Sequence, residues 1–323
     1  MLRILPPPAD VVRLRTPHAI DEATTSVNIA SSDHLSLIRM LARAIGCNDG
    51  DIEPAHEAKN VWMYRNRQCG VMFRVEDHEL EPPMMALSDH VSLDCENEDL
   101  LRGPDSLRTL LAETALVGVG FPNATPLLRS AYHWPSGLVI HAHRYVEHGT
   151  RLCDIDDMEL LGIATLLFID AVLDLYLTYG ALHGDLHFAN VFLERVHDDE
   201  KASFVPIRHL TLGGHVDMAQ LERYRITLID WEFAEIFRST PQLPYRTVDG
   251  PENAHRSFSD DMLMLGESLN EHELMLNAFM YDDQVQTIAY RIYRYLYERD
   301  PPPAIRAREV QDAVRDITSS PCY

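Results

Sequence analysis

The chain has 323 residues, 46% of them hydrophobic and 24% charged, with a formal net charge of −22. Its length suits one large two-lobed domain or two modest ones, and its composition is that of a globular protein. The acidity excludes broad electrostatic attachment to nucleic acid or anionic lipid, although a basic protein would be drawn to such a surface.

Only Lys59 and Lys201 are lysines, so 26 of the 28 basic residues are Arg. The five cysteines (Cys47, Cys69, Cys95, Cys153 and Cys322) are scattered and form no CxxC pair, which predicts neither a zinc site nor a disulfide framework and a reducing compartment. The apolar run after Met1 is too short for a signal peptide, so the chain is expected to be soluble and intracellular.

Residues 1–30 show no sustained period and are expected to be a loose arm. Leu35, Leu37, Ile38, Leu41, Ala42 and Ile45 mark an amphipathic helix capped by Ser31, Ser32 or Asp33. Val61–Tyr64 and Val71–Val75, split by a polar turn ending at Gly70, predict a β-hairpin. Residues 76–105 are acidic and irregular and read as an inserted loop. A helix over Leu107–Val119 follows, then strands near Leu127–Tyr132 and Leu138–Tyr145. The stretch Leu160–Leu177 is the most apolar, but it carries Asp170 and Asp174 and is read as a buried helix rather than a membrane span. Val191–Leu193 and Arg225–Ile229 predict a strand pair with about thirty mostly polar residues between them, long for a hairpin loop. The domain reading is an arm (1–30), an N-terminal lobe with a helix and an acidic insert (31–148), and a C-terminal catalytic lobe (149–323).

Two short segments carry chemistry. In His183-Gly184-Asp185-Leu186-His187-Phe188-Ala189-Asn190, an Asp and an Asn stand five apart in a turn; in Leu228-Ile229-Asp230-Trp231-Glu232, an Asp closes an apolar strand. Phosphoryl transfer from a nucleotide uses one carboxylate to take the acceptor's proton, and an Asn and a second Asp to hold magnesium. Taken blandly, the first segment is a capped loop with an Asx turn.

In that order, the two segments resemble the catalytic and metal-binding loops of the protein-kinase-like superfamily. His183-Gly184-Asp185-Leu186-His187 resembles the loop of aminoglycoside-phosphotransferase-type enzymes, and Ile229-Asp230-Trp231-Glu232 is similar to theirs and to that of choline kinases. Downstream, Gly250-Pro251-Glu252 resembles the Ala-Pro-Glu motif that closes a protein-kinase activation segment. Ser259 to Gly266 resembles the helix start that braces the catalytic loop, and Glu298 through Val310 resembles the closing motif, with Arg306 placed to form a buried ion pair with Glu252. The long insert between the catalytic strands is also reminiscent of haspin-type kinases.

The resemblance implies an α+β, bilobal fold, with a small β-rich N-terminal lobe, a larger helical C-terminal lobe, and ATP and Mg2+ bound between them. It implies Asp185 as the catalytic base and Asn190 and Asp230 as magnesium ligands. Arg74 stands where the strand Lys of the family stands, and Glu113 is the candidate for the helix Glu that orients it. Lys59, Asn60, Tyr145 and Glu147 complete the expected nucleotide contacts. His141, His143 and His148 contain an HxH pair, but no third ligand lies at suitable local spacing, so they read as ordinary strand residues. The implied function is phosphorylation of a protein Ser or Thr hydroxyl. A small-molecule kinase of aminoglycoside or choline type is the second reading. A pseudokinase binding module is the third, favoured by the glycine-free first strand, Arg74 and Glu232.

Overall fold

A computed structural model describes residues 1–29, 33–58, 60–77, 86–94, 96–133, 136–146, 149–196, 204–281, 287–298 and 304–320. The structure is mixed α+β, with a seven-stranded antiparallel sheet and further small sheets. It divides into two compact units: Met1–Glu147 with Arg238–Asp249, and His148–Phe237 with Gly250–Tyr323.

The first unit contains β1 (Leu2–Ile4), α1 (Pro8–Leu14), α2 (Pro17–Ala23), β2 (Thr25–Val27), α3 (His34–Ala44), β3 (Glu53–Ala58), β4 (Val61–Asn66) and β5 (Val71–Asp77). After these come β6 (Ser92–Leu93), β7 (Leu101–Arg102), α4 (Asp105–Gly118), β8 (Leu127–His133) and β9 (Leu138–Arg144). The large sheet runs β2-β1-β8-β9-β5-β4-β3.

Residues 1–29 are not the loose arm expected. β1 pairs with β8, Leu2 opposite His133 and Ile4 opposite Ala131, and Leu2, Leu5, Val11 and Ile20 are buried. Each of α1 and α2 has seven residues and begins at a proline, Pro8 or Pro17. Elements that short cannot show a sustained period, so the local signals were helix-favouring Pro at the first turn and, for α2, the Thr16 cap that accepts the Ala19 N–H. The carboxylate of Asp21 then accepts the backbone N–H groups of Leu87 (3.0 Å) and Ser88 (2.7 Å), tying this region to the segment before β6. Residues 78–85 of the expected acidic insert lie outside the described residues.

Asp33 caps α3, accepting the Ser36 N–H at 3.0 Å. The apolar face of α3 (Leu37, Ile38, Leu41, Ala42) packs on Val71, Phe73 and Val75 of β5 and on Ile140 and Ala142 of β9. Strand side chains alternate between faces, so Arg74 and Glu76 of β5 and His141 and His143 of β9 lie on the face opposite α3. Contrary to the expectation of free thiols, Cys47, just past α3, is disulfide-bonded to Cys69 in the β4–β5 turn. The two lie 22 residues apart in sequence but converge where the helix end meets the hairpin.

The segment 238–249 is strapped onto the same unit. Arg246 N–H donates to Asp99 O at 2.7 Å and Leu101 N–H to Arg246 O at 2.8 Å. The Arg246 guanidinium reaches Asp99 and Asn97, and that of Arg108 on α4 donates to Thr247 O at 2.8 Å. Leu243, Tyr245 and Thr247 are buried there.

The second unit contains β10 (Thr150–Arg151), α5 (Met158–Leu177), β11 (Ala181–Leu182), β12 (Val191–Arg195), α6 (Met218–Leu221), β13 (Tyr224–Leu228) and β14 (Glu235–Ile236). Four helices follow: α7 (Phe258–Glu271), α8 (Glu273–Tyr281), α9 (Ile288–Leu296) and α10 (Ala307–Ser319). α5 is long and apolar enough to cross a membrane, but 83% of its most apolar window is buried inside the structure. Its two acids are satisfied by the insert between β12 and β13. Asp170 accepts the backbone N–H groups of Arg208, His209 and Leu210 at 2.8–2.9 Å, and Asp174 pairs with His209 Nε2 at 2.9 Å and Arg208 Nη1 at 3.3 Å. Burial of polar groups inside so apolar a helix is tolerated because these bonds offset desolvation.

The expected buried ion pair between Glu252 and Arg306 is absent. Both side chains are exposed, Glu252 in a 3-10 turn (Pro251–Asn253) and Arg306 at the N-cap of α10. A buried acid of this region is Glu235 on β14, which accepts the His255 N–H at 2.8 Å and meets its Nδ1 at 2.7 Å.

Candidate functional site

Asp185 follows β11 in a loop whose backbone is held from three sides. His183 is fully buried: its Nε2 donates to Ile229 O at 3.0 Å, its Nδ1 faces the Asp185 N–H at 3.4 Å, and its ring packs on Trp231. Burial pushes the His183 pKa down to about 3, so a neutral imidazole links the loop to the end of β13. Gly184 has φ +84°, and a Cβ there would come within 2.7 Å of Phe233 O. That backbone conformation and that close approach call for glycine. Its N–H donates to Asp261 Oδ1 at 3.1 Å, from the first turn of α7, where the sequence predicted the brace of this loop.

Asn190 closes the loop. Its Nδ2 donates to Asp185 O at 3.0 Å and Oδ2 at 2.9 Å, and lies 3.1 Å from His187 Nε2. β12 and β13 then pair antiparallel, with Val191 opposite Leu228, and the Ile229 N–H donates to Asn190 O at 3.0 Å. This register puts Asp230 one residue past the rung that contains Asn190. Asp230 has φ +65°, a left-handed backbone uncommon for a residue with a side chain. Asp185 and Asp230 are half-buried. The three residues singled out from sequence are therefore brought together by one loop and one strand pair.

The donor types suit a hard divalent cation: because Nδ2 points at Asp185, the acceptor-only Oδ1 of Asn190 remains as a ligand atom, and the carboxylate residue Asp230 follows one position past the paired rung. His187 shares the cluster, with Nε2 at 3.4 Å from Asp185 Oδ2.

In the first unit, Arg74 makes its ion pair with Glu76, two residues along β5, at 2.6 Å. The expected orienting residue, Glu113 on α4, lies against two imidazoles: Oε2 is 3.5 Å from His141 Nδ1 and Oε1 is 3.5 Å from His143 Nε2. Desolvation first, then the positive fields of His141 and Arg74, push the His143 pKa down to about 3. Reading His141 and His143 as ordinary strand residues missed this cluster. The third group comes from a helix 28 residues upstream of His141, so local spacing gave no sign of it; the only signal was the i, i+2 placement of two histidines on one strand face.

Asn60 sits exposed in the β3–β4 turn, with φ +61° and its carbonyl accepting the Asp77 N–H. The Tyr145 N–H donates to Gly70 O at 2.7 Å, so that amide is engaged within the first unit. Lys59, Glu147 and His148 lie outside the described residues.

No protein-family model and no curated protein sequence matches this chain.

Proposed function

We propose that the chain is an ATP-dependent phosphotransferase of protein-kinase-like, bilobal architecture, its two compact units corresponding to the small and large lobes, and that its acceptor is a protein Ser or Thr hydroxyl. The observation that carries this reading is the convergence of Asp185, Asn190 and Asp230 on one loop and one strand pair. Asp185 is the base: its Oδ2, oriented by Asn190 Nδ2, takes the proton of the acceptor hydroxyl. Asn190 Oδ1 and the Asp230 carboxylate hold Mg2+, which when bound neutralises charge on the transferring phosphate. Asp261, through Gly184 N–H, positions the peptide that leads into the base. Arg74, steadied by Glu76, is the cation proposed for the nucleotide phosphates.

A small-molecule acceptor is the second reading. It is favoured by the exposed Glu252 and Arg306, which do not form the pair that would brace a protein-kinase substrate platform.

The test is transfer from labelled ATP with magnesium, comparing wild type with Asp185→Asn and Asp230→Ala. The acceptors are a mixed basic protein, the chain itself, and a panel of aminoglycosides and amino alcohols. Protein labelling abolished by both substitutions supports the first reading; labelling of a small molecule alone moves the chain to the second. No transfer, alongside magnesium-dependent thermal stabilisation by ATP, makes it a nucleotide-binding pseudokinase.

A further inference from the structure

The first unit buries a second cluster of ligating groups, separate from Asp185, Asn190 and Asp230. His141 and His143 project from the same face of β9, their ring centroids 5.7 Å apart. Glu113 of α4 places one carboxylate oxygen 3.5 Å from a ring nitrogen of each. Ligand atoms from all three groups lie within 4.8 Å of one another. The side chains are 6%, 15% and 9% exposed for His141, His143 and Glu113, so this is not a solvated acidic patch.

Two features of the geometry point the same way. A nitrogen–oxygen separation of 3.5 Å is too long for a sound hydrogen bond. It matches instead the edge of a coordination tetrahedron, which is roughly 3.4 Å for bonds of 2.0–2.1 Å. The second feature is that both imidazoles turn a ring nitrogen toward the same carboxylate, His141 through Nδ1 and His143 through Nε2.

We propose that Glu113, His141 and His143 bind a divalent transition-metal ion of the Zn2+ class. Two imidazoles and one carboxylate form the donor set of three-ligand zinc sites, which leave a fourth position open. Mg2+ and Ca2+ prefer all-oxygen shells, so nitrogen donors discriminate against them. Ser130 Oγ, 3.1 Å from His141 Nδ1, is the fourth polar group of the cluster. Arg74 stands opposite His141 on β5, but its charge is met by Glu76 at 2.6 Å; with neutral imidazoles, Arg74, Glu76 and Glu113 sum to one negative charge. The assignment gives Glu113 to the ion rather than to the orientation of Arg74.

The test is titration of the full, chelator-treated chain with Zn2+ and with Co2+, with no nucleotide or acceptor present, so its outcome is independent of the phosphotransfer reading. The expected result is one equivalent bound, a visible Co2+ band of four-coordinate intensity, and at least a tenfold loss of affinity in Glu113→Gln, His141→Ala and His143→Ala. His18→Ala, which removes an exposed His–Glu pair, leaves binding unchanged. Absence of stoichiometric binding, or retention of affinity in all three cluster variants, overturns the proposal. Should those variants fail to fold, X-ray absorption on the wild-type Zn2+ complex decides. A nitrogen/oxygen shell with two imidazoles supports the site, and a sulfur shell or one without imidazole scattering overturns it.

Discussion

The carboxylate of Asp261, in the first turn of α7, accepts the backbone N–H of Gly184 at 3.1 Å, so an acid 77 residues downstream positions the peptide immediately before Asp185. Asp261 is fully buried, and desolvation, only partly opposed by the N–H groups of Gly184 and His183, pushes its pKa up to about 7. The fold therefore prefers the protonated acid. The stabilisation this contributes is fully present below the ordinary carboxylate value and is lost as pH rises through about 7. Denaturant unfolding from pH 4 to pH 8 is expected to show wild-type stability falling relative to Asp261→Asn, which keeps an acceptor for Gly184 but does not titrate. Parallel curves for the two proteins would refute the assignment.

Gly184→Ala tests the same loop from the other side. The added Cβ would meet Phe233 O at 2.7 Å on a backbone with φ +84°. The expected cost is about 2 kcal/mol or more in stability, with a larger proportional loss of phosphotransfer because Asp185 is the next residue. Wild-type melting and wild-type turnover together would show that the glycine is dispensable.

Asp170→Ala removes the acceptor of three consecutive backbone N–H groups, Arg208, His209 and Leu210. Leaving such groups unpaired costs about 1–3 kcal/mol each, so a loss of roughly 3 kcal/mol or more is expected. The readout that separates this from general destabilisation is proteolysis: the β12–β13 insert should become cleavable under conditions where α5 remains protected. An unchanged cleavage pattern would count against Asp170 as its anchor.

The parts of the fold legible in the sequence were those carried by local signals. The apolar face of α3, the hairpin turn before Val71 and the apolar α5 each repeat over several turns or strand residues. The Asp185–Asn190 loop was equally legible because its spacing is local, and Asp230 because it closes an apolar strand, although about thirty mostly polar residues separate the two strands. What escaped were relationships made by the third dimension. Seven-residue helices at Pro8 and Pro17 carry too few turns to show a period. Glu113 meets His141 and His143 only because the fold brings α4 to the strand face that carries the two histidines. The Glu252–Arg306 pair was argued from order along the chain alone, and both groups remain in solvent.

Cys47 and Cys69 belong to that last group, since nothing in their 22-residue spacing announces that the end of α3 meets the β4–β5 turn. Closing a loop of that length removes denatured-state entropy worth roughly 3 kcal/mol on the chain-entropy account. The double substitution Cys47→Ser with Cys69→Ser is therefore expected to lower the unfolding midpoint of the wild type, and reducing agent to do the same to wild type but not to the variant. The loss should be confined to the first unit, because the bridge joins the α3 side of its sheet to the hairpin that carries Arg74. Hydrogen exchange would then show faster opening of α3, β4 and β5, with α5 and β13 unaltered. Equal midpoints for wild type with and without reductant would mean that the packing of Leu37, Ile38 and Leu41 on β5 already holds the two thiols together without the bond.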